Sequence, residues 1–396
     1  MASVFAWLDT DDEQQHRMRV LIDLFKEEGT VDELGIGTIR DAFSNALFPG
    51  TSILHTRCRY LLFNAWLMAD TARHRYPTDR AIRQLRTAEV RLITALLEGG
   101  ESTGVIGSQA RAKLKQMPTS MYWAALGRYE MRTWDLSITA HLRAASQRGR
   151  GRAVTSDDDD AASPGIELGL DAALPAMPAD LLESSTFDLL PDEASYLRDR
   201  IAASCHGSLF AWLALHGRHV QVGYVWNHPQ LGDFPSEYRE LLDHARRFHS
   251  VVRGAALLYN LLLAERRESQ GLIEYYRDEL AAWQTALATN HILEAWSLTD
   301  FWNLIRTLNP QLRVATQAFV TDWLQQATTT SNIADLAPAR ELIAQRELRL
   351  KGGRSRLISQ AALDAWTGGS GLVPLDYRWG VARGYLNDIY AGLKVA

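Results

Sequence analysis

Four consecutive segments place apolar residues at helical rather than strand spacing: about Ser236 to Gln270, Leu272 to Thr289, His291 to Leu308, and Pro310 to Gln326. A chain committed to that period over so long a stretch must bury its apolar stripes helix against helix. The same period recurs elsewhere. Met18, Leu21, Ile22, Leu24 and Phe25 follow Asp11-Asp12 and stop at Gly29. A short helix is expected after the glycines of DELGIGTIRDAF, and a longer one from Leu47 to about His74. Pro77-Thr78-Asp79 opens a helix that runs to Glu98 and ends at Gly99-Gly100. Helices resume after Pro191, start again near Pro338 to end in KGGRSR, and finish with Trp379 to Leu393. HVQVGYVW is the one good strand candidate, and it reads equally well as irregular chain.

One stretch interrupts the pattern. SQRGRGRAVTSDDDDAASPG is basic, then acidic, and its four consecutive aspartates belong in water. The expected architecture is therefore mainly α: an N-terminal helical domain over 1–145, a flexible polar linker over 146–179, and a C-terminal helical domain over 180–396. Within the first domain, SQARAKLKQ and SMYWAALGRY flank Met117-Pro118-Thr119. They suggest a helix-turn-helix over 108–129, with winged-helix-like packing.

Composition narrows the classes. The net charge of −5 excludes a strongly basic protein but leaves room for a local basic site. Of 42 basic residues only Lys26, Lys113, Lys115, Lys351 and Lys394 are lysine. The rest are arginine, the better residue for forked contacts to carboxylate or phosphate. Cys58 and Cys205 are isolated and apolar in setting, so they read as buried thiols in a reducing compartment. The start MASVFAWLDTDDEQQ has no signal-peptide pattern, and LLFNAWLMA is too short to span a bilayer. A cytoplasmic protein without membrane association is expected.

The motifs of common enzymes are missing: no GxxxxGK[ST], HExxH, EF-hand loop or GxSxG occurs. One ExxH, Glu13 to His16, falls short of the two that a helical di-iron site needs. His244 and His249 are five apart, on different faces of a helix, and make poor joint ligands. No metal or cofactor is expected.

Two arginine constellations remain. In LFPGTSILHTRCRYLLFNAW a helix starting at Thr51 or Ser52 puts Arg57 with Asn64 on one line and His55 with Arg59 on another. Buried guanidiniums need anions. One reading pairs them inside the protein with Asp32, Glu33, Asp41 or Asp70. The other has Arg40 and Arg57 hold a phosphate at the helix start, with Arg59 beside them. One of Arg57 and Arg59 is expected to be structural and the other, Arg57, to meet a phosphate or a partner. The second constellation is RLKGGRSRL, where Arg349, Lys351, Arg354 and Arg356 surround a Gly-Gly pair; Asp376-Tyr377-Arg378-Trp379 and Arg383 follow. A basic glycine loop suits a nucleic-acid backbone, an acidic protein surface, or simple solvent exposure. Arg111, Lys113 and Lys115 offer further phosphate contacts, whereas SMYWAALGRY is too apolar to read bases.

DELGIGTIRDAFSNALFPGTS, TRCRYLLF, PTSMYWAALGRY, KGGRSRL, AWTGGSG and LDYRW occur in this order. As a set they resemble a bacterial domain-of-unknown-function family, numbered six-three-six-one, over nearly the whole chain except the linker. The resemblance implies membership of multi-gene anti-phage islands beside helicases and phospholipase-D-like nucleases. It carries no catalytic residues, and the HxK pattern of such nucleases is absent. The leading expectation is a non-enzymatic subunit of a bacterial defence complex. It would touch DNA or RNA through its arginine sites, alongside helicase or nuclease subunits. A protein-only adaptor docking such a partner is the alternative. A third reading is an unrecognised nuclease or nucleotide hydrolase, which needs several of Asp32, Glu33, Asp41, His55, Asp376 and Asp388 around one cleft.

Overall fold

The structure is a computed structural model that describes residues 32–152, 168–329 and 332–394. The helix expected around Met18 to Phe25, the Glu13–His16 pair and residues 153–167 of the expected linker lie outside them. The described helices are α1 (Gly37–Leu47), α2 (Tyr60–Arg73), α3 (Thr78–Glu98), α4 (Pro118–Arg128), α5 (Ile138–Arg152), α6 (Pro191–Ser204) and α7 (Leu209–His216). They continue with α8 (Ser236–Arg266), α9 (Gln270–Thr289), α10 (Leu298–Leu308), α11 (Val314–Thr329), α12 (Ala337–Lys351), α13 (Gln360–Asp364) and α14 (Trp379–Leu393). The fold is mainly α, and among the described residues pairing of β type is limited to one bridge, Arg132 with Leu170.

The helices form two compact units built from interleaved segments. The first runs up to Phe43 and again from Arg239 to Leu375; the second runs from Ser44 to Tyr238 and again from Asp376. These are not the sequential 1–145 and 180–396 domains expected above. The reason is visible inside the first unit: Leu34 and Gly35 carbonyls accept from Arg346, more than three hundred positions away in sequence. Its core stacks Phe43, Phe248 and Phe301, and packs Trp283 against Trp323 at 6.0 Å between centroids. A Cβ on Gly254 would lie 2.2 Å from the Trp283 ring, so α8 and α9 approach where only glycine fits.

In the second unit α2 is the hub, buried from Tyr60 to Ala69, which is why its sequence is apolar nearly all round. It packs on α3, α4 and α5, while α14 lies along α6 and α7. Residues 168–179 are not free linker. The Thr133 N–H donates to the Gly169 carbonyl, the Asp171 N–H to Met131, and Trp66 Nε1 to Pro175. The Ile138–Arg152 helix likewise runs into the expected linker start.

The helix-turn-helix is also corrected. SQARAKLKQ forms only the 3-10 turn Arg111–Lys113, with Arg111 in the left-handed region at φ 45°. The second element, α4, buries Tyr122, Ala125 and Leu126, and its exposed side is Ser120, Ala124 and Arg128, the last bonded to the Ser204 carbonyl. The strand candidate HVQVGYVW contains no strand and ends in a 3-10 turn at Val225–Asn227. The helix expected from His291 begins at Leu298 instead, because the Ser297 hydroxyl caps it by accepting from the Asp300 N–H.

Candidate functional site

After Leu47, which ends α1, the stretch LFPGTSILHTRCRYLLFNAW is not helical until Tyr60, with Arg59 as the capping position. Local and tertiary partners claim its backbone first. Gly50 turns the chain at φ 83°, against the Tyr129 ring, and Thr51 Oγ1 donates to the Phe48 carbonyl. The Thr56 N–H then donates to the Tyr122 hydroxyl, and the Cys58 N–H to Asp388 Oδ2. Those N–H groups are therefore not bonded to carbonyls of a preceding turn, and the helical lines expected for Arg57 with Asn64 and His55 with Arg59 do not exist. Nor does a helix start at Thr51 to lend N–H groups to a phosphate.

Both arginines are held internally, within the second unit. Arg57 Nε lies 3.1 Å from both Asp388 oxygens and its Nη2 2.9 Å from Oδ1, while the guanidinium covers the Phe187 ring. Arg59 is 7% exposed; its Nη2 reaches Glu193 Oε1 and its Nη1 the Thr186 carbonyl, each at 2.8 Å. The partners are thus Asp388 and Glu193, not the nearby Asp32, Glu33, Asp41 or Asp70. Burial holds the Asp388 carboxyl above the usual carboxylate range, and Arg57 pulls it back down.

This sets a pH signature. Arg57→Leu should cost about 2–3 kcal/mol near neutral pH, where a half-released carboxylate is left without its partner. Without Arg57 the folded-state pKa rises further, so the folded variant takes up a proton before the unfolded chain does. The cost should therefore shrink as pH falls through that pKa. Thermal midpoints of both proteins between neutral pH and about pH 4 check this; a gap that does not narrow contradicts it.

Arg378 sits at the start of α14 with φ 67°, next to Tyr377 at φ 54°. Asp376 holds this left-handed pair in place: its carboxylate accepts from the Arg378 and Gly380 N–H groups at 2.9 Å each. Arg378 Nη1 donates to Asn45 Oδ1 and the Thr51 carbonyl. The conspicuous LDYRW motif is, in this sense, a helix start.

In the first unit, Arg40 Nε donates to Asp41 at 3.1 Å, and Asp32 caps α1 by accepting from the Ile36 and Gly37 N–H groups. The four cations of RLKGGRSRL divide into two pairs. Lys351 and Arg356 both bond Glu33, which is 4% exposed. Glu347, wholly buried, accepts from the Tyr259 hydroxyl and the Arg356 N–H at 2.8 Å, and from the Ser355 hydroxyl and the Leu357 N–H. Arg356 also donates to Ser370 Oγ, and Asn260 bonds both the N–H and the carbonyl of Ser370. Arg349 and Arg354 are exposed, and among the described residues they have no ion-pair partner. Between them a Cβ on Gly352 or Gly353 would meet nothing within 4 Å. Arg266, which the sequence reading passed over, is exposed beside this loop, its guanidinium on the Leu357 and Ile358 carbonyls.

The candidate acid–base residues have structural duties within their own units. Glu33 holds cations, Asp32 and Asp376 cap helices, and Asp388 holds Arg57. His55 is stacked on Tyr122, with Nε2 on the Met121 carbonyl, and burial pushes its pKa down to about 4. Among the described residues no group of three His, Cys, Asp or Glu side chains converges as a metal site. No described helix is long and apolar enough to cross a membrane.

A family model described as a family of unknown function matches residues 2–392 of the chain. No curated protein and no solved structure matches it.

Proposed function

The chain belongs to the family of unknown function DUF6361, and from that premise we propose that it is a helical, non-enzymatic subunit of a bacterial anti-phage complex that contacts DNA or RNA through exposed guanidiniums. One observation carries the reading: the division of labour inside RLKGGRSRL. Lys351 and Arg356 are spent on Glu33, which fixes the loop, while Arg349 and Arg354 stand in solvent on either side of an unobstructed Gly-Gly turn. A fixed loop presents its free cations without a large ordering cost, and open glycine backbone lets a phosphate come close. The internal pairing of Arg57 and Arg59 moves the proposed contact away from them.

The test is fluorescence anisotropy of a labelled DNA duplex and a labelled RNA at low salt. The double substitution R349E/R354E should weaken binding about tenfold or more and flatten its salt dependence by about one to two units of slope. Unchanged affinity in that variant, or no binding by the wild-type protein to either probe, would overturn the proposal.

A further inference from the structure

Several helical arginines of this protein have an acidic partner. Arg246 and Arg247 pair with Asp243, Arg253 with Glu279, Arg277 with Asp335, and Arg340 with Glu265. Helix α3 gathers four arginines that have no ion-pair partner among the described residues. Between Asp79 and Glu98 it carries Arg80, Arg83, Arg86 and Arg91 and a single acid, Glu89. Glu89 is 2% exposed and turned to the core, where its carboxylate accepts the Thr119 N–H at 2.8 Å.

Between its two ends the outer face of α3 is therefore free of acid; exposed Glu98 closes the same line at the last residue, and Asp79 lies one turn before Arg83. At 100° per residue, Arg80, Arg83, Thr87, Arg91 and Thr94 fall within one arc of roughly 80°, opposite the buried Leu85, Glu89, Leu92 and Leu96. Among the described residues Arg80, Arg83 and Arg91 are exposed and have no ion-pair partner. Arg80 and Arg83 are one turn apart, a like-charge spacing that costs an isolated helix stability rather than adding to it. Arg80 is also ordered, with its guanidinium 4.2 Å above the Tyr76 ring, which in turn stacks on His74 at 5.2 Å.

A second element extends the positive face. Arg86 donates to the Ala112 and Leu114 carbonyls at 3.0 and 2.8 Å, tying the Arg111–Lys113 turn to α3. That turn and its continuation present Arg111, Lys113 and Lys115, all exposed. So the basic turn of the failed helix-turn-helix packs against α3. From Arg80 to Arg91 the axial distance is about 16 Å, the length of about five base pairs at 3.4 Å each.

We propose that the outer face of α3, with the 111–115 turn beside it, is a second nucleic-acid site, one that binds the sugar-phosphate backbone without reading sequence. Its donors suit this: arginines, threonine hydroxyls and an arginine–tyrosine stack, with no apolar reading surface between them. The inference rests on the chain being a nucleic-acid binder, but on a different unit from the KGGRSR loop.

The experiment measures affinity of the full chain for a labelled duplex across a salt series, for wild type, R80E/R83E/R91E and R349E/R354E, with polyglutamate as competitor. R80Q/R83Q/R91Q is included so that loss of positive charge is read without added negative charge. Both α3 triples should lose at least tenfold in affinity, and the slope of log K against log salt should flatten by about two to three units, close to 0.9 for each phosphate released. Wild-type affinity in both triples, with R349E/R354E impaired, overturns the α3 site and leaves the loop proposal standing. Polyglutamate competing as well as unlabelled duplex, charge for charge, overturns the nucleic-acid assignment in favour of an acidic protein partner. No duplex binding by wild type overturns both.

Discussion

Glu347→Ala should destabilise the protein by about 3–5 kcal/mol. Glu347 is wholly buried and its two oxygens satisfy four donors: the Tyr259 and Ser355 hydroxyls and the Arg356 and Leu357 N–H groups. Lys351 Nζ lies 3.4 Å from Oε1 as well. Truncation leaves these groups in a site that water does not reach, and each unmet donor costs about 1–3 kcal/mol before any relaxation. The loss is not the sum of those terms, because the Ser355 and Tyr259 hydroxyls rotate to find other acceptors. Glu347→Gln keeps one acceptor oxygen and places an NH₂ among donors, so it should fall between wild type and alanine. Chemical denaturation read by circular dichroism measures both. A cost below about 1 kcal/mol for the alanine variant would mean that the loop is held by something other than Glu347.

Arg59→Met is the counterpart in the second unit. It leaves Glu193, 2% exposed, with the Leu190 N–H at 3.2 Å as its remaining donor. An uncompensated carboxylate at that depth should again cost about 3–5 kcal/mol. Most of the cost arises from the stranded charge rather than from lost packing, since Met replaces much of the aliphatic stem of Arg59 and gives up only the guanidinium over the Phe63 ring. The double substitution R59M/E193Q should therefore recover a substantial part of the loss, while E193Q alone leaves Arg59 short of its anion. Equal costs for R59M and R59M/E193Q would show that the charge is not the cause. Arg59 Nε already lacks an acceptor, so the pair is not an optimal one to begin with.

The helical period carried most of the fold. Thr78–Glu98, Trp379–Leu393 and the helix after Pro338 appear with nearly the expected ends; proline and glycine punctuate the first and third, and the Asp376 cap starts the second. What the period could not convey is competition for backbone groups by residues far away in sequence. Thr56 and Cys58 bond Tyr122 and Asp388, 66 and 330 positions distant, and the expected helix start dissolves. The unit boundaries were hidden for the same reason, since residues 32–43 join a unit whose remainder begins at Arg239.

The short motifs were read as candidate sites, and several turn out to hold one another. Glu33 of DELG, Lys351 and Arg356 of KGGRSR and Ser370 of the TGGSG turn share one network. Arg57 and Arg59 of TRCRY meet Asp388 and Glu193. A guanidinium that must be buried shows in sequence as arginine in an apolar run, but its anion does not show. The α3 face was missed for the opposite reason: RAIRQLRTAEVR looks like an ordinary solvated helix until Glu89 is seen to face inward.

The most direct measurement is the salt dependence of duplex affinity for the wild-type chain beside Arg57→Leu, an internal arginine, and the exposed-face variants. Wild type and R57L should share one steep negative slope, since Arg57 is occupied by Asp388, while R349E/R354E and R80E/R83E/R91E each flatten it. A flat wild-type slope, or one that R57L flattens while both exposed-face variants leave it unchanged, would contradict nucleic-acid contact through the exposed guanidiniums.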